Sequence, residues 1–251
     1  MDRVWIGAPV NKAGAPFIKE WLESIKRFIG PQFCVCLVDD TPDAAFMDEL
    51  AGWFKGFGNS FVLKHLDTGN NAKGIVDGDR SKIRAEAILA CRKYAIELFK
   101  ASPAYTHFFS LETDMFHQPE DMYKMIRYSR ANGRPIVSSL WIPSQTCPSN
   151  CVRELYFKKD KWTLAEAVAS HIRPEEIKAP MKVASCGLGS VLFNRTALEM
   201  VDIRIDPRLG YQDDMAWHID AEERGLDIWI MDDIRPEHWR MIDGQKVVLK
   251  A

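Results

Sequence analysis

Apolar positions along the chain switch repeatedly between a strand-like run and a helical period. "VWIGAPV" (Val4 to Val10) is a short β-branched run, and in the following "FIKEWLESIKRF" the residues Phe17, Ile18, Trp21, Leu22, Ile25 and Phe28 recur at helical spacing. "FCVCLVDD" is a continuous apolar strand ending in two Asp. "TPDAAFMDELAGWFKGFG" is an amphipathic helix entered through Thr-Pro-Asp and stopped by glycines, and "FVLKHLD" is a third strand. A polar Gly/Asn loop (68–78) leads to a long helix over "SKIRAEAILACRKYAIELFKA", then to a fourth strand, "THFFSLETD". "RPIVSSLWIP" reads as a fifth strand, and residues 144–182 lose regular patterning apart from a helical piece, "LAEAVASHI". "GLGSVLFNRTALEMV" returns to strand and helix, "YQDDMAWHIDAEERG" is a helix with an acidic start, "LDIWIMDD" is read as the last strand, and "IRPEHWRM" closes the chain's chemistry. Strands apolar on both faces and separated by helices predict an α/β protein with a mostly parallel central sheet and helices on both faces.

In such sheets ligands collect at the carboxyl ends of the strands. Strand two stops at Asp39-Asp40, and strand four runs through Phe108 to Leu111 straight into Glu112 and Asp114. The pattern therefore predicts carboxylates converging on one crevice. Oxygen ligands of this kind suit Mg²⁺ or Mn²⁺, which are commonly held by one or two carboxylates plus phosphate oxygens and water.

Composition narrows the classes. In 251 residues, 33 Lys and Arg nearly balance 35 Asp and Glu, leaving a formal charge of -2, which argues against a dedicated nucleic-acid binder. No apolar run approaches the roughly 18 residues of a membrane span, and "MDRVWIGAPV" lacks an export signal, so a cytoplasmic protein with no membrane span is expected. Six cysteines are sparse for a disulfide scaffold; Cys34 and Cys36 read as small strand hydrophobes. Cys147 and Cys151 in "CPSNC" read as reduced loop thiols, with a zinc site or a loop-stapling disulfide as the alternatives.

Four motifs in order, "GAPV", "VDDTPD", "LETD" and "YQDDMAWHIDAEERG", resemble the GT-A fold of nucleotide-sugar-dependent glycosyltransferases, especially family 2 and its relatives. The similarity covers most of the chain. It departs from the family where the metal motif opens with Glu112 and where the acidic pair is Asp213-Asp214 in place of Glu-Asp. The resemblance implies a single Rossmann-like GT-A domain over 1–251, with 1–115 as the nucleotide-sugar-binding half and 116–251 as the acceptor-binding and catalytic half. By the same resemblance Pro9 and Val10 line the base pocket, Asp39 with Asp40 nearby contacts base or ribose, and Lys82 and Arg84 meet phosphate or sugar. Asp114 is the first metal ligand, His238 coordinates the metal or the diphosphate, and Glu112 reaches the metal, a metal-bound water or the ribose. Gly187 and Gly189 approach the donor sugar; Asp214 is the general base and Asp213 an acceptor or sugar contact.

Each assignment has a structural counterpart: a turn cap for Asp39, a solvated helical face for Lys82 and Arg84, helix-dipole stabilisation for Asp213 and Asp214, and a core ring for Trp141 or Trp239, which could otherwise stack on sugars. The implied activity is a Mn²⁺- or Mg²⁺-dependent hexosyl transfer from a UDP- or GDP-sugar to an acceptor hydroxyl, with inversion. The acceptor stays open among sugar, lipid, protein and modified DNA base. A transferase acting on hydroxymethylated DNA bases, a sugar nucleotidyltransferase and a non-catalytic nucleotide- or carbohydrate-binding module are the alternatives.

Overall fold

Side chains alternate across a strand, so a strand buried on both sides must feed two cores. In β1 (Arg3–Val10) the residues Val4, Ile6, Ala8 and Val10 enter one core and Trp5 the other. The computed structural model describes residues 2–12, 15–41, 43–55, 57, 60–68, 77–155, 164–206 and 213–251; the side chains of 77–82, 164, 167, 168 and 213–215 stand outside that description. After β1 come α1 (Ala15–Ile25), β2 (Gln32–Asp39), α2 (Ala44–Phe54), β3 (Ser60–His65), α3 (Asp77–Lys100), β4 (His107–Leu111), β5 (Met115–Phe116) and α4 (Asp121–Asn132). The second half adds β6 (Ile136–Ser138), β7 (Cys151–Val152), α5 (Leu164–Ser170), β8 (Met181–Val183), β9 (Ser185–Cys186), β10 (Ser190–Asn194), α6 (Arg195–Met200), α7 (Asp213–Glu223), β11 (Ile228–Ile230), β12 (Glu237–Ile242) and β13 (Gln245–Leu249).

The main sheet has eight strands in the order β3-β2-β1-β4-β10-β6-β11-β8. β3, β2, β1 and β4 are mutually parallel, as are β6 and β11, whereas β10 runs antiparallel to both its neighbours and β8 antiparallel to β11. The sheet is therefore mainly parallel, with helices on both faces. Phe17, Ile18, Trp21, Leu22 and Ile25 of α1 form the predicted apolar stripe and are buried with Phe33, Val35 and Leu37 of β2. Cys34, Cys36 and Val38 of β2 face the opposite core, with Cys91, Ala95 and Phe99 of α3. Between β1 and β4 there is room for only a glycine: a Cβ on Gly7 would meet the Phe108 ring at 2.4 Å. Asp43 caps α2, its carboxylate accepting the Ala45 N–H at 3.1 Å, so the Thr-Pro-Asp start is a helix entry.

Two expectations are corrected. Ile228–Ile230 is not the last strand; β12 and β13 follow it, and "EHWRM" is built into β12 of a second, three-stranded sheet ordered β13-β12-β5. Cys151 is not a loop residue: it opens β7, is fully buried and stands opposite Cys186. All six cysteines are free thiols, and burial pushes Cys34 up to about 11 and Cys36 and Cys91 up to about 12. Such thiols are inert core residues at neutral pH. Among the described residues no helix is long and apolar enough to cross a membrane.

Candidate active site

The antiparallel insertion of β10 decides the site. Because Ser190 at its start pairs with Leu111 at the end of β4, the glycines before Ser190 arrive at the same sheet edge as the residues after Leu111. The Glu112 N–H donates to the Gly189 carbonyl at 2.9 Å. A Cβ on Gly189 would stand 3.1 Å from both Glu112 Oε2 and the Trp141 ring, and one on Gly187 would stand 2.9 Å from Trp141, so only glycine allows this close packing.

The small sheet brings in the third component. β5 begins one residue after Asp114 and pairs with β12 so that His238 stands opposite Met115, and the Trp239 N–H donates to the Asp114 carbonyl at 2.8 Å. His238 is buried, and its Nε2 lies 3.3 Å from Asp114 Oδ2. Its Nδ1 lies 2.8 Å from the Ile142 carbonyl, which can only accept, so Nδ1 carries a proton. In neutral imidazole Nε2 is then a lone pair aimed at a carboxylate, an arrangement that calls for a proton or a cation. Burial pulls the His238 imidazole down, yet the hydrogen bond and charge of Asp114, with the Ile142 carbonyl, outweigh it and hold it above the usual range.

The other Asp114 oxygen, Oδ1, is buried and without a hydrogen-bond partner among the described residues. An orphaned carboxylate oxygen beside an imidazole lone pair fits a divalent cation. Two ligands at adjacent corners of an octahedron with bonds of about 2.1 Å stand about 3 Å apart, close to the separation seen here. Among the described residues no three His, Cys, Asp or Glu side chains gather to hold a metal.

Glu112 and Asp114 line a cleft of about 410 Å³, a volume suited to a small-molecule ligand. Pro9 and Val10 form one wall, Asp40 and Arg84 another, and Glu112, Asp114, Trp239 and Arg240 the floor and rim. Asp39 is not among the lining residues. It is fully buried, one oxygen accepting the Thr41 N–H and the other 3.1 Å from His65 Nδ1. Lys82, Asp213 and Asp214 have side chains outside the described residues, as do residues 156–163 of the basic and aromatic stretch. A wider hollow of about 820 Å³ lies at the opposite end of the sheet, by Gly30, Pro31 and Tyr123. It holds none of the strand-end carboxylates.

Three side chains escaped the sequence reading. Arg240 lines the cleft between Trp239 and Met241 of β12. Arg92, buried in α3, donates to Glu112 at 2.8 Å; an arginine one turn after Ile88 on an apolar stripe was the available signal. His65 closes β3 beside Asp39. Trp239 lines the cleft, with Phe116 stacked on it at 3.7 Å and the Lys246 ammonium over the ring at 3.2 Å. Trp141 is buried edge-on to His238, with its indole N–H unpartnered among the described residues.

His117 resembles part of a hydrolytic triad, with Asp121 Oδ2 3.0 Å from Nδ1 and Ser190 Oγ 2.7 Å from Nε2. All three residues are buried, so the array is a tether between α4 and β10. His117→Ala is expected to destabilise the fold by about 3 kcal/mol, leaving Asp121 and Ser190 without their partner. Urea denaturation measures this.

Neither a protein-family model nor the sequence of any curated protein matches the chain. Solved structures do resemble it. A197 from STIV has a TM-score of 0.53 at 12% identity, covering 99% of this chain and 94% of that one. S. aureus TarS 1-349 in complex with UDP-GlcNAc has a TM-score of 0.55 at 15% identity, covering 93% of this chain and 56% of that one. GalNAc-T7 with UDP, GalNAc and Mn²⁺ has a TM-score of 0.61 at 10% identity, covering 97% and 45%. This chain thus spans about half the length of the last two. The likeness, with the sheet order and strand-end carboxylates, defines the class: the chain has the GT-A fold of glycosyltransferases.

Proposed function

We propose that the protein is a metal-dependent glycosyltransferase that uses a nucleoside diphosphate sugar, UDP- or GDP-linked, as donor. The observation that carries this reading is the pairing of Asp114, which lines the cleft, with the buried His238 in a GT-A fold. Further support comes from the neighbours crystallised with UDP-GlcNAc or with UDP and Mn²⁺. Asp114 and His238 would hold Mn²⁺ or Mg²⁺, and a bound divalent cation would neutralise charge developing on the diphosphate leaving group. Pro9 and Val10 offer an apolar wall to the base. Arg84 and Arg240 offer guanidinium groups to phosphate oxygens, which such planar donors recognise well. The Gly187–Gly189 backbone lets the sugar approach the sheet edge closely.

For the base, helical spacing favours Asp214. His218, one turn later on the same helix face, accepts the Cys186 N–H at 3.4 Å, so that face of α7 meets the strand leading into Gly187. Asp213 is assigned to acceptor contact. Deprotonation of the acceptor hydroxyl during single displacement gives inversion.

A panel of nucleoside diphosphate sugars, assayed for hydrolysis and transfer with Mn²⁺ and with EDTA, tests the proposal. One donor should be consumed, and EDTA should stop it; no consumption and no nucleotide binding would overturn the assignment. His238→Ala is expected to raise the half-saturating Mn²⁺ concentration by about 10-fold to 100-fold while leaving measurable turnover, because carboxylate and diphosphate oxygens remain.

A further inference from the structure

The two carboxylates of "LETD" have different surroundings. Asp114 faces an imidazole, whereas Glu112 faces a guanidinium: Arg92 Nη2 donates to Glu112 Oε1 at 2.8 Å. The Arg92 side chain is 3% exposed and that of Glu112 35%, so the pair runs from the core of α3 to the cleft surface. Glu112 is further fixed by its N–H on the Gly189 carbonyl and by its carbonyl, which accepts the Met115 N–H at 3.1 Å. Its Oε2 rests against Gly189, where no Cβ intervenes.

We propose that Arg92 is a positioning residue that keeps Glu112 out of the cation's coordination sphere and presents its carboxylate to a hydroxyl of the nucleotide sugar. The inference rests on the nucleotide-sugar reading above. A buried guanidinium already compensates the Glu112 charge, and a divalent cation placed on that carboxylate would stand close to a fixed positive charge with little water to screen it. Asp114 has no guanidinium hydrogen-bonded to it among the described residues: one oxygen meets His238 Nε2 and the other has no partner there. A charge-compensated carboxylate still accepts several hydrogen bonds, and neutral hydroxyls are the partners that suffer no repulsion from Arg92. Substituting the first carboxylate should therefore affect the nucleotide sugar, and substituting the second the metal.

Mn²⁺ binding followed by electron paramagnetic resonance, together with calorimetric nucleotide binding, separates the two on the full chain with UDP and, in parallel, GDP. Glu112→Gln should bind Mn²⁺ as the wild type does but lose nucleotide or nucleotide-sugar affinity by about 10-fold to 100-fold, the scale of a charge-assisted hydrogen bond. Arg92→Met should show the same loss, with donor KM rising more than kcat falls, and Arg92→Lys should recover most of it. A purely structural role would lower the melting temperature and the active fraction without moving KM. The 2′-deoxy nucleotide identifies the hydroxyl: a ribose partner makes Glu112→Gln without further effect on it, and a sugar partner confines the loss to the nucleotide sugar. If Glu112→Gln loses Mn²⁺ as Asp114→Asn does, or if Arg92→Met binds nucleotide sugar like the wild type, the proposal is wrong while the nucleotide-sugar reading stands. Absence of Mn²⁺ binding by the wild type with either nucleotide overturns both.

Discussion

Asp114→Asn is expected to lower sugar transfer by at least about 10³-fold, the largest effect anticipated for any single substitution at the metal pair. The amide keeps the shape of the side chain and removes the charge. In the wild type, one Asp114 oxygen lacks a partner among the described residues and the other lies 3.3 Å from His238 Nε2, an arrangement that fits a cation. The substitution leaves the fold intact, because the strand contact at this position uses the Asp114 backbone carbonyl and the Trp239 N–H. Turnover titrated against Mn²⁺, with the melting temperature as control, measures the effect. Near-wild-type turnover at limiting Mn²⁺, or a wild type indifferent to EDTA, would remove the metal from the mechanism.

The first half of the fold was legible because its strands are buried on both faces, which writes them as uninterrupted apolar runs between amphipathic helices. Strand direction is another matter. "SVLF" reads the same whether parallel or antiparallel, so the inserted β10, which delivers Gly189 to Glu112, carries no sequence signature. The β12–β13 hairpin did carry one. Asp243-Gly244 lies between the two strands, both residues at positive φ (50° and 75°), the conformation that a tight hairpin turn demands. The signal is faint because the ribbon is half exposed, and Arg240 and Lys246 dilute its apolar alternation. Without the hairpin, His238 could be placed near the metal only by resemblance; with it, pairing to β5 sets the position.

Adjacent carboxylates posed a second difficulty. Asp39 and Asp40 look interchangeable in "VDD", but alternation sends them apart: Asp39 continues the row of Val35 and Leu37, and Asp40 that of Cys36 and Val38, toward α3. Asp40 accordingly shares the cleft with Ile88 and Cys91 of α3, while Asp39 turns inward to Thr41 and His65.

Asp214→Asn is expected to leave nucleotide-sugar binding nearly unchanged and to lower transfer by roughly 10²-fold to 10⁴-fold, the range for lost acid-base assistance. The reasoning starts at the body of α7, where Trp217 packs edge-on against Phe193 at 5.0 Å and His218 meets the Cys186 N–H. These contacts fix the helix rotation from one turn downstream, and position 214 shares a face with 218 whereas position 213 is turned by about 100°. Asp213→Asn should accordingly be milder and should act through acceptor KM. A helix-dipole role would give a different pattern, because charge removal at either position would cost similar stability, about 0.3–1 kcal/mol, with little change in turnover per folded molecule. Product stereochemistry is an independent measurement. A carboxylate base acting in single displacement inverts the anomeric carbon, readable from NMR coupling constants in the first product formed. Retained configuration would remove Asp214 from the role of base even if Asp114 and His238 prove to bind the cation.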